Sequence, residues 1–515
     1  MGAKVISSLA EAYGRGIYIS FVKAIKAVKG LGTGRSVIVG QFPWGPINQI
    51  VDYDTPGEFR RKFAPDGSDR TGSGYNCVVN FPWTDLRIVR VLGATPVRAS
   101  VNLQKTGPAN CVAVTALYYG TTGNSIVCTV ADASNGIANS FDLTITLTNS
   151  TTGKSTVEVY RNVDSTQTGA AYWTNLTAGT NPNPSRLVDG LVKSATGRPV
   201  NGTYNLASGS DGSSIVSGDY LGTPGSADKG VALLESDPNV NFFFCDEVPS
   251  GILSTVNTGL KAHAVLMNDR RIAICTGAAG ESASTAKTNA AALGSGVTAY
   301  VFPHGKVRDE DAVSDTATKI TIPLPAALAS LASLMQPHLS PAYKNKEFTK
   351  ALSNILELDV SNTSASALDA LERAGVIAFE ANSDGVFSPY DSMLTDGSTY
   401  FWEQRMKRWI PFSAAAALEE YRNGPNDTEQ QEDERTILSS FLGELVGNGK
   451  RDHIFRPSIA DGGLLPTEAT NSAADIAAGD FTIGYQVTLI AEQKRIILSG
   501  ELSSSTLVTE SVTPV

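Results

Sequence analysis

The chain has 515 residues, 42% of them hydrophobic and 18% charged, and 51 acidic residues against 41 Lys and Arg give a net charge of -10. That length holds several domains, and the balance excludes a wholly disordered chain and disfavours a nucleic-acid coat, whose surface would be basic. Five cysteines without CxxC spacing and four scattered histidines argue against a secreted disulfide framework and a histidine-based metal site.

No apolar run approaches the ~18 residues that a membrane-spanning helix needs. The start, Met1-Gly2-Ala3-Lys4, lacks the apolar core of a signal peptide, and Ile6 breaks the myristoylation pattern. The expected setting is therefore the cytoplasm, with all five thiols reduced. Cys111 and Cys128 are the one pair in which late oxidation is a question.

The first predicted element is a short strand over residues 16–22, carrying Ile17, Tyr18, Ile19 and Phe21. A connector with Gly30, Gly32 and Gly34 separates it from a buried-type strand, residues 36–40. Phe42-Pro43-Trp44-Gly45-Pro46 reads as a stiff, turn-rich loop. Thr55 caps a short helix with Pro56 at its first position and Phe59 and Phe63 on one face. An alternating strand follows, with Leu86, Ile88 and Arg90 on one side.

From about Asn102 to Arg186 charges thin out and Thr, Ser, Asn and Gly dominate. Residues 141–147 and 156–160 alternate with period two, which predicts a small, exposed, dispensable all-β insert. Residues 208–230 read as a Gly/Ser/Asp-rich linker. Beyond it the pattern becomes α/β: strands at 240–245, 271–276, 297–302 and 376–380 alternate with helices at 252–266, 282–293 and 366–374, which argues for a layered, largely parallel sheet.

In the last third, Pro411 suits the first turn of a helix running to about residue 421. A second helix spans 432–445, with Ile437, Leu438, Phe441, Leu442 and Leu445 on one face, ended by Gly447-Asn448-Gly449. Phe481, Ile483, Tyr485, Val487 and Leu489 then alternate with polar residues. With a second run over 495–502, containing Ile496 and Leu498, they predict a hairpin. The tail at 506–512, with Leu507, Val508 and Val512, is β-prone and has no later strand to pair with. Both ends of the chain thus carry candidate exchange strands, which pair either with each other inside one subunit or with a neighbour.

The motifs for chemistry do not hold together. Gly153-Lys154-Ser155-Thr156 looks like the end of a phosphate loop, but Thr148 stands where the first glycine belongs and a strand follows in place of a helix. Gly30-Leu31-Gly32-Thr33-Gly34 precedes a strand, whereas a dinucleotide fingerprint follows one. There is no GxSxG elbow and no HExxH motif. No catalytic residue, cofactor or metal ligand is expected.

Gly16-Ile17-Tyr18-Ile19, Val37-Ile38-Val39-Gly40, Trp44-Gly45-Pro46, Glu58-Phe59-Arg60-Arg61-Lys62-Phe63 and Arg87-Ile88-Val89-Arg90-Val91 come in the order and spacing of contractile-tail sheath proteins of bacteriophages and related particles. Tyr119-Gly120 with Gly123-Asn124-Ser125-Ile126 resembles that family's glycine-asparagine signature. Near the other end the resemblance continues through Arg405-Met406-Lys407-Arg408 before a helix, Asn426-Asp427, and Ala474-Asp475-Ile476-Ala477-Ala478-Gly479. It covers most of the chain at its two ends, and residues 324–350 depart from it.

The resemblance implies an α/β (α+β) multidomain fold. An N-terminal arm (1–24) joins a C-terminal core domain with an exchange-strand tail (396–515). A layered α/β middle domain comes in two parts (25–103 and 191–395, the second including the linker), around the β-rich outer insert (104–190). It implies a structural subunit in a phage tail, assembled in the host bacterial cytoplasm, that polymerises helically with copies of itself, as stacked hexameric rings, around a tail tube. Contraction of that sheath drives the tube through a cell envelope. The further partners would be baseplate and tail terminator proteins, with no nucleic acid and no direct membrane insertion. Arg405, Lys407 and Arg408, with Lys450 and Arg451, would face an acidic tube surface; the alternative for such a cluster is an ordinary solvated face. The rival functions are another particle protein, a tube or an adhesin, and an enzyme built on the α/β layer.

Overall fold

Runs such as Ser36-Val37-Ile38-Val39 and Phe242-Phe243-Phe244 are apolar without alternation, the mark of strands covered on both faces. They form the centre of an eight-stranded sheet in the computed structural model of the chain. The structure describes residues 4–6, 18–20, 32, 34–107, 110–165, 184–193, 197–246, 248–311, 319–361, 364–382, 384–422, 424, 426–445, 455–457, 464, 471–478, 481–483, 487–489, 496–501 and 509–514. The chain divides into two compact units: Gly32–Met406, and Met1–Leu31 together with Lys407–Val515.

In the larger unit the strand order of the sheet is Phe387–Pro389, Val376–Ala381, Thr298–Phe302, Ile272–Thr276, Phe242–Cys245, Arg35–Gly40, Asp85–Arg90 and Ile50–Tyr53. The six inner strands run parallel, and each edge strand is antiparallel to its neighbour. Alternate residues serve opposite faces. Val37, Val39, Phe243 and Cys245 pack under the helices Ser250–Leu266, Ala283–Leu293 and Ala365–Glu372. Ile38, Leu86, Phe242 and Phe244 pack under Pro56–Phe63, Ser73–Val79 and Pro325–Leu334. Each such side chain, fully buried, contributes ~1.5–3 kcal/mol by leaving water. The last of these helices lies in the stretch that departs from the family pattern. Its sequence, PAALASLASL, is buried from Pro325 to Ser333, as expected of a helix apolar all round.

Local signals carry the helix starts. Thr55 Oγ1 accepts from the Glu58 amide at 3.2 Å ahead of Pro56, and Phe59 and Phe63 stack at 5.8 Å. Ser282 and Ser364 cap the next helices by accepting from Thr285 and Ala367.

The β insert is two antiparallel sheets around one core. Four strands run in the order Ser155–Asp164, Ser140–Thr148, Ile126–Asp132, Gly202–Asn205, and three in the order Val188–Lys193, Asn110–Ala116, Ser100–Gln104. A bridge between Ser100 and Ala207 joins the two. The strands thus begin at Ser100 and end at Asn205, outside the 104–190 span. Gly153 and Lys154 lie in the turn between Ser140–Thr148 and Ser155–Asp164, with Gly153 at φ +70, so the phosphate-loop look-alike is a hairpin turn.

Two sequence expectations are corrected in this unit. The insert is not a loosely exposed module: Trp44, from the loop after the first sheet strand, is fully buried in the insert's core, edge-on to Tyr118 at 5.3 Å. The turn at Asn149 is also fixed, donating to Ser68 O at 3.0 Å, while Lys154 pairs with the buried Asp311. Residues 208–230 are not a linker. Ser210 bridges to Val97, residues 217–221 form the helix Ser217–Leu221, and the stretch packs into the sheet's helical layer because Tyr220, with Ile215 and Leu221, is an apolar anchor hidden among the glycines and serines.

In the smaller unit the helix that Pro411 was expected to open starts ten residues earlier. It spans Phe401–Leu418, its first turns falling in the larger unit, and Pro411 lies inside it. Proline supplies no N–H to the Lys407 carbonyl, so the propensity argument alone places a boundary there. Apolar residues at Ile410, Ala414 and Ala417 keep the periodicity through it and are buried. The next helix is Thr428–Leu445, with Ile437, Leu438, Phe441 and Leu442 buried and Phe441 5.6 Å from Trp409. Its end at Gly447-Asn448-Gly449 lies outside the described residues.

Candidate functional site

The sequence offers no catalytic set, and among the described residues no group of His, Cys, Asp and Glu could hold a metal. The candidate site is the set of strands at the chain ends and the basic residues between them. Both ends belong to the smaller unit.

At the N-terminal end Tyr18–Ser20 forms a strand, but it is not isolated. It pairs in parallel with Lys4–Ile6, in the register Lys4 to Tyr18, Val5 to Ile19 and Ile6 to Ser20. Ile17 and Phe21 lie outside the described residues.

At the C-terminal end the expected hairpin is replaced by two different pairings. Val487–Leu489 pairs antiparallel with Phe455–Pro457, a strand that sequence reasoning missed because Phe455-Arg456-Pro457 is short and ends in proline. Ile496–Glu501 pairs antiparallel with the tail, Thr509–Pro514, over six residues, with Leu498 opposite Val512. The tail is therefore paired within its own chain. The physical reason is proximity: the 502–508 connection is short enough that closing it is cheap, and the tail's β-branched period matches the strand before it. Phe481 and Ile483 precede these strands in irregular backbone, both half-buried, where Thr482 and Asn471 exchange hydrogen bonds of 2.6 and 2.8 Å. Tyr485, Leu507 and Val508 lie outside the described residues.

Among the described residues each of these three ribbons has two strands. A two-stranded ribbon leaves two rows of backbone N–H and C=O groups without ladder partners and is marginally stable in water. Chemically, the arrangement can accept or donate further strands.

The three described basic residues of the set have different surroundings. Arg405 is buried, 5% exposed, with its guanidinium donating to Met335 O at 2.9 Å and lying over the Phe242 ring at 5.3 Å. Burial lowers its pKa to about 9. That corrects its placement on a tube-facing surface: it is an interior cation satisfying the end of the Pro325–Leu334 helix. Lys407 is exposed, and Arg408 is half-buried over the Phe412 ring at 5.8 Å. Lys450 and Arg451 lie outside the described residues. Arg90, read in the sequence as one more residue of an alternating strand, is fully buried and donates to the carbonyls of Phe42, Gly45 and Tyr119 at 2.7, 2.7 and 3.0 Å. It thereby fixes the Phe42–Pro46 loop, a role with no spacing signal.

No family model and no curated protein matches the chain. Solved structures do. A sheath tail protein from Desulfitobacterium hafniense aligns at TM-score 0.58 and 13% identity, covering 92% of this chain and all of its own. A sheath tail protein from Listeria innocua aligns at 0.58 and 12%, covering 94% of this chain and 96% of its own. The helical sheath of the anti-feeding prophage, in its contracted state, aligns at 0.51 and 12%, covering 96% and 100%. The chain has the fold of tail sheath proteins over nearly its whole length.

Proposed function

We propose that the chain is a subunit of a contractile tail sheath: a structural protein, without catalysis, that polymerises helically with its own copies around a tail tube. The single observation that carries this reading is whole-chain coverage. One fold accounts for the doubly wound layer, the insert and the terminal unit at once, and it is shared with a sheath solved as a contracted helix. A tail location, contact with a baseplate, a tube and a terminator, and assembly in a bacterial cytoplasm follow from the same reading. The open-edged terminal ribbons are suited to strands from neighbouring subunits, each backbone hydrogen bond adding a net ~0.5–1.5 kcal/mol. In this reading Lys407, which is exposed, meets an acidic tube surface together with Lys450 and Arg451. Such a contact is worth on the order of 0–1 kcal/mol and weakens with salt, which suits a sheath that must release its tube. Head-to-tail contacts that do not close generate the helix. Negative-stain microscopy of the purified protein tests the reading. Hollow, cross-striated cylinders are the expected result, and globules that stay dispersed at high concentration would refute it.

A further inference from the structure

In parallel sheets with helices on both faces, ligands bind outside the carboxyl ends of the strands where the strand order reverses. Here that point lies between Arg35–Gly40 and Phe242–Cys245: the chain goes outward from the first strand to Asp85–Arg90, then returns to the second on its other side. The residues leaving those two strand ends, Gln41 and Asp246, are bonded to each other, the Gln41 amide donating to Asp246 Oδ2 at 2.9 Å.

The third member is Tyr220. Its ring is fully buried, the Gln41 side chain donates to its hydroxyl at 3.2 Å, and that hydroxyl donates to Asp246 Oδ1 at 3.4 Å. Burial, with the neighbouring Asp246 carboxylate, keeps the phenol protonated. The backbone around it is shaped to admit it. A Cβ on Gly230, at φ +56, would stand 2.1 Å from Tyr220 O, and one on Gly259 of the Ser250–Leu266 helix would stand 2.3 Å from Leu221 Cδ1. Gly40 has no room for a side chain because Asp246 fills it, with 2.5 Å to Cγ.

We propose that Tyr220 is a built-in ligand: the strap at residues 206–236 inserts a phenol into the crevice that this fold class reserves for small molecules, closing it and tying the insert to the sheet. The strap's start is paired with the insert's root, through Val97 with Ser210 and Thr121 with Asp211, so the plug and the insert share one chain segment. The seat holds a planar aromatic ring whose hydroxyl accepts from Gln41 and donates to Asp246.

The test is truncation with chemical rescue on the full chain. Tyr220→Ala is expected to lower the melting temperature, raise hydrogen exchange across residues 206–236, and restore both when phenol or p-cresol is added at millimolar concentration. Tyr220→Phe, which keeps the ring, is expected to lose much less and to gain nothing from phenol. Three outcomes would overturn the proposal: Tyr220→Ala as stable as the parent, a destabilised Tyr220→Ala that phenol does not rescue, or a parent protein that binds p-cresol itself at the same concentration. If Tyr220→Ala does not fold, Gly259→Ala decides: unchanged protection of 206–236 would refute the seating of the strap.

Discussion

At the scale of single residues, the buried ionisable groups do the work that sequence spacing could not reveal. Arg405 sits in a run of cations and reads as surface, yet it closes the Met335 and Gln336 carbonyls at 2.9 and 3.3 Å. Arg405→Met is expected to cost ~1–3 kcal/mol by leaving the buried Met335 carbonyl without this donor, seen as a lower urea midpoint; an unchanged midpoint would return Arg405 to the surface. His263 gives a second test. It is buried against Arg271, whose Nη1 lies 3.0 Å from its Nε2, and burial first, then the Arg271 charge, lowers its pKa from 6.5 to about 3. The imidazole is therefore neutral in the folded state. Below pH ~6.5 the unfolded chain takes up a proton that the folded one refuses, so stability falls as pH drops from 6.5 towards 3, by up to ~1.4 kcal/mol per pH unit. Urea titrations at stepped pH should show this slope shrink in His263→Gln, and an identical slope in both proteins would exclude His263 as its source. All five cysteines are free and buried, and burial pushes the Cys128 thiol up to about 12, so Cys128 stays unreactive at neutral pH.

At the scale of elements, period and capping were legible and pairing was not. Thr55, Ser282 and the apolar runs at Val37 and Phe243 act through contacts within a few residues, and the helices and strands form close to where those signals place them. Partner choice depends on distant chain. Val487–Leu489 pairs with Phe455–Pro457 and Ile496–Glu501 pairs with the tail, an outcome no local pattern distinguishes from the expected hairpin. Tyr220 likewise hid in a stretch whose glycines read as a linker, because those glycines serve close packing. A prediction belongs here. Removal of the chain after Leu502 deletes Thr509–Pro514 and leaves Ile496–Glu501 without its six-residue partner. The truncated protein should remain folded, by circular dichroism and by an unchanged melting transition of the larger unit, and should no longer polymerise. Normal cylinders from it would show that the tail takes no part in joining subunits.

At the scale of the whole molecule, the proposed sheath needs units that keep their shape while contacts between copies change. The larger unit meets that requirement by construction. The insert's core is closed by Trp44 from the sheet's own loop, and the strap buries Tyr220 under the same helices that cover the sheet. Relative movement of insert and sheet would expose Trp44 and Tyr220 together, two large side chains at roughly 1.5–3 kcal/mol or more each, so the pair moves as one body. This changes what excision of the insert should do. Cutting at 106–184 would bare Trp44 and leave half a sheet, whereas the pairing of Val97 with Ser210 marks a natural seam. Replacing residues 99–208 by a short Gly/Ser bridge, with Trp44→Ser to remove the exposed indole, should preserve folding and cylinder formation. Failure of that variant to assemble, with the rest shown folded, would mean that the insert supplies contacts between subunits. The same rigidity carries the last expectation. In extended and contracted cylinders compared by cryo-electron microscopy, residues 34–406 should superpose as a single body, with Trp44, Tyr220 and Arg90 in unchanged surroundings and all of the difference in contacts between copies. A shift of the insert against the sheet between the two states would break that body, and with it the argument that the strap and the buried indole hold it together.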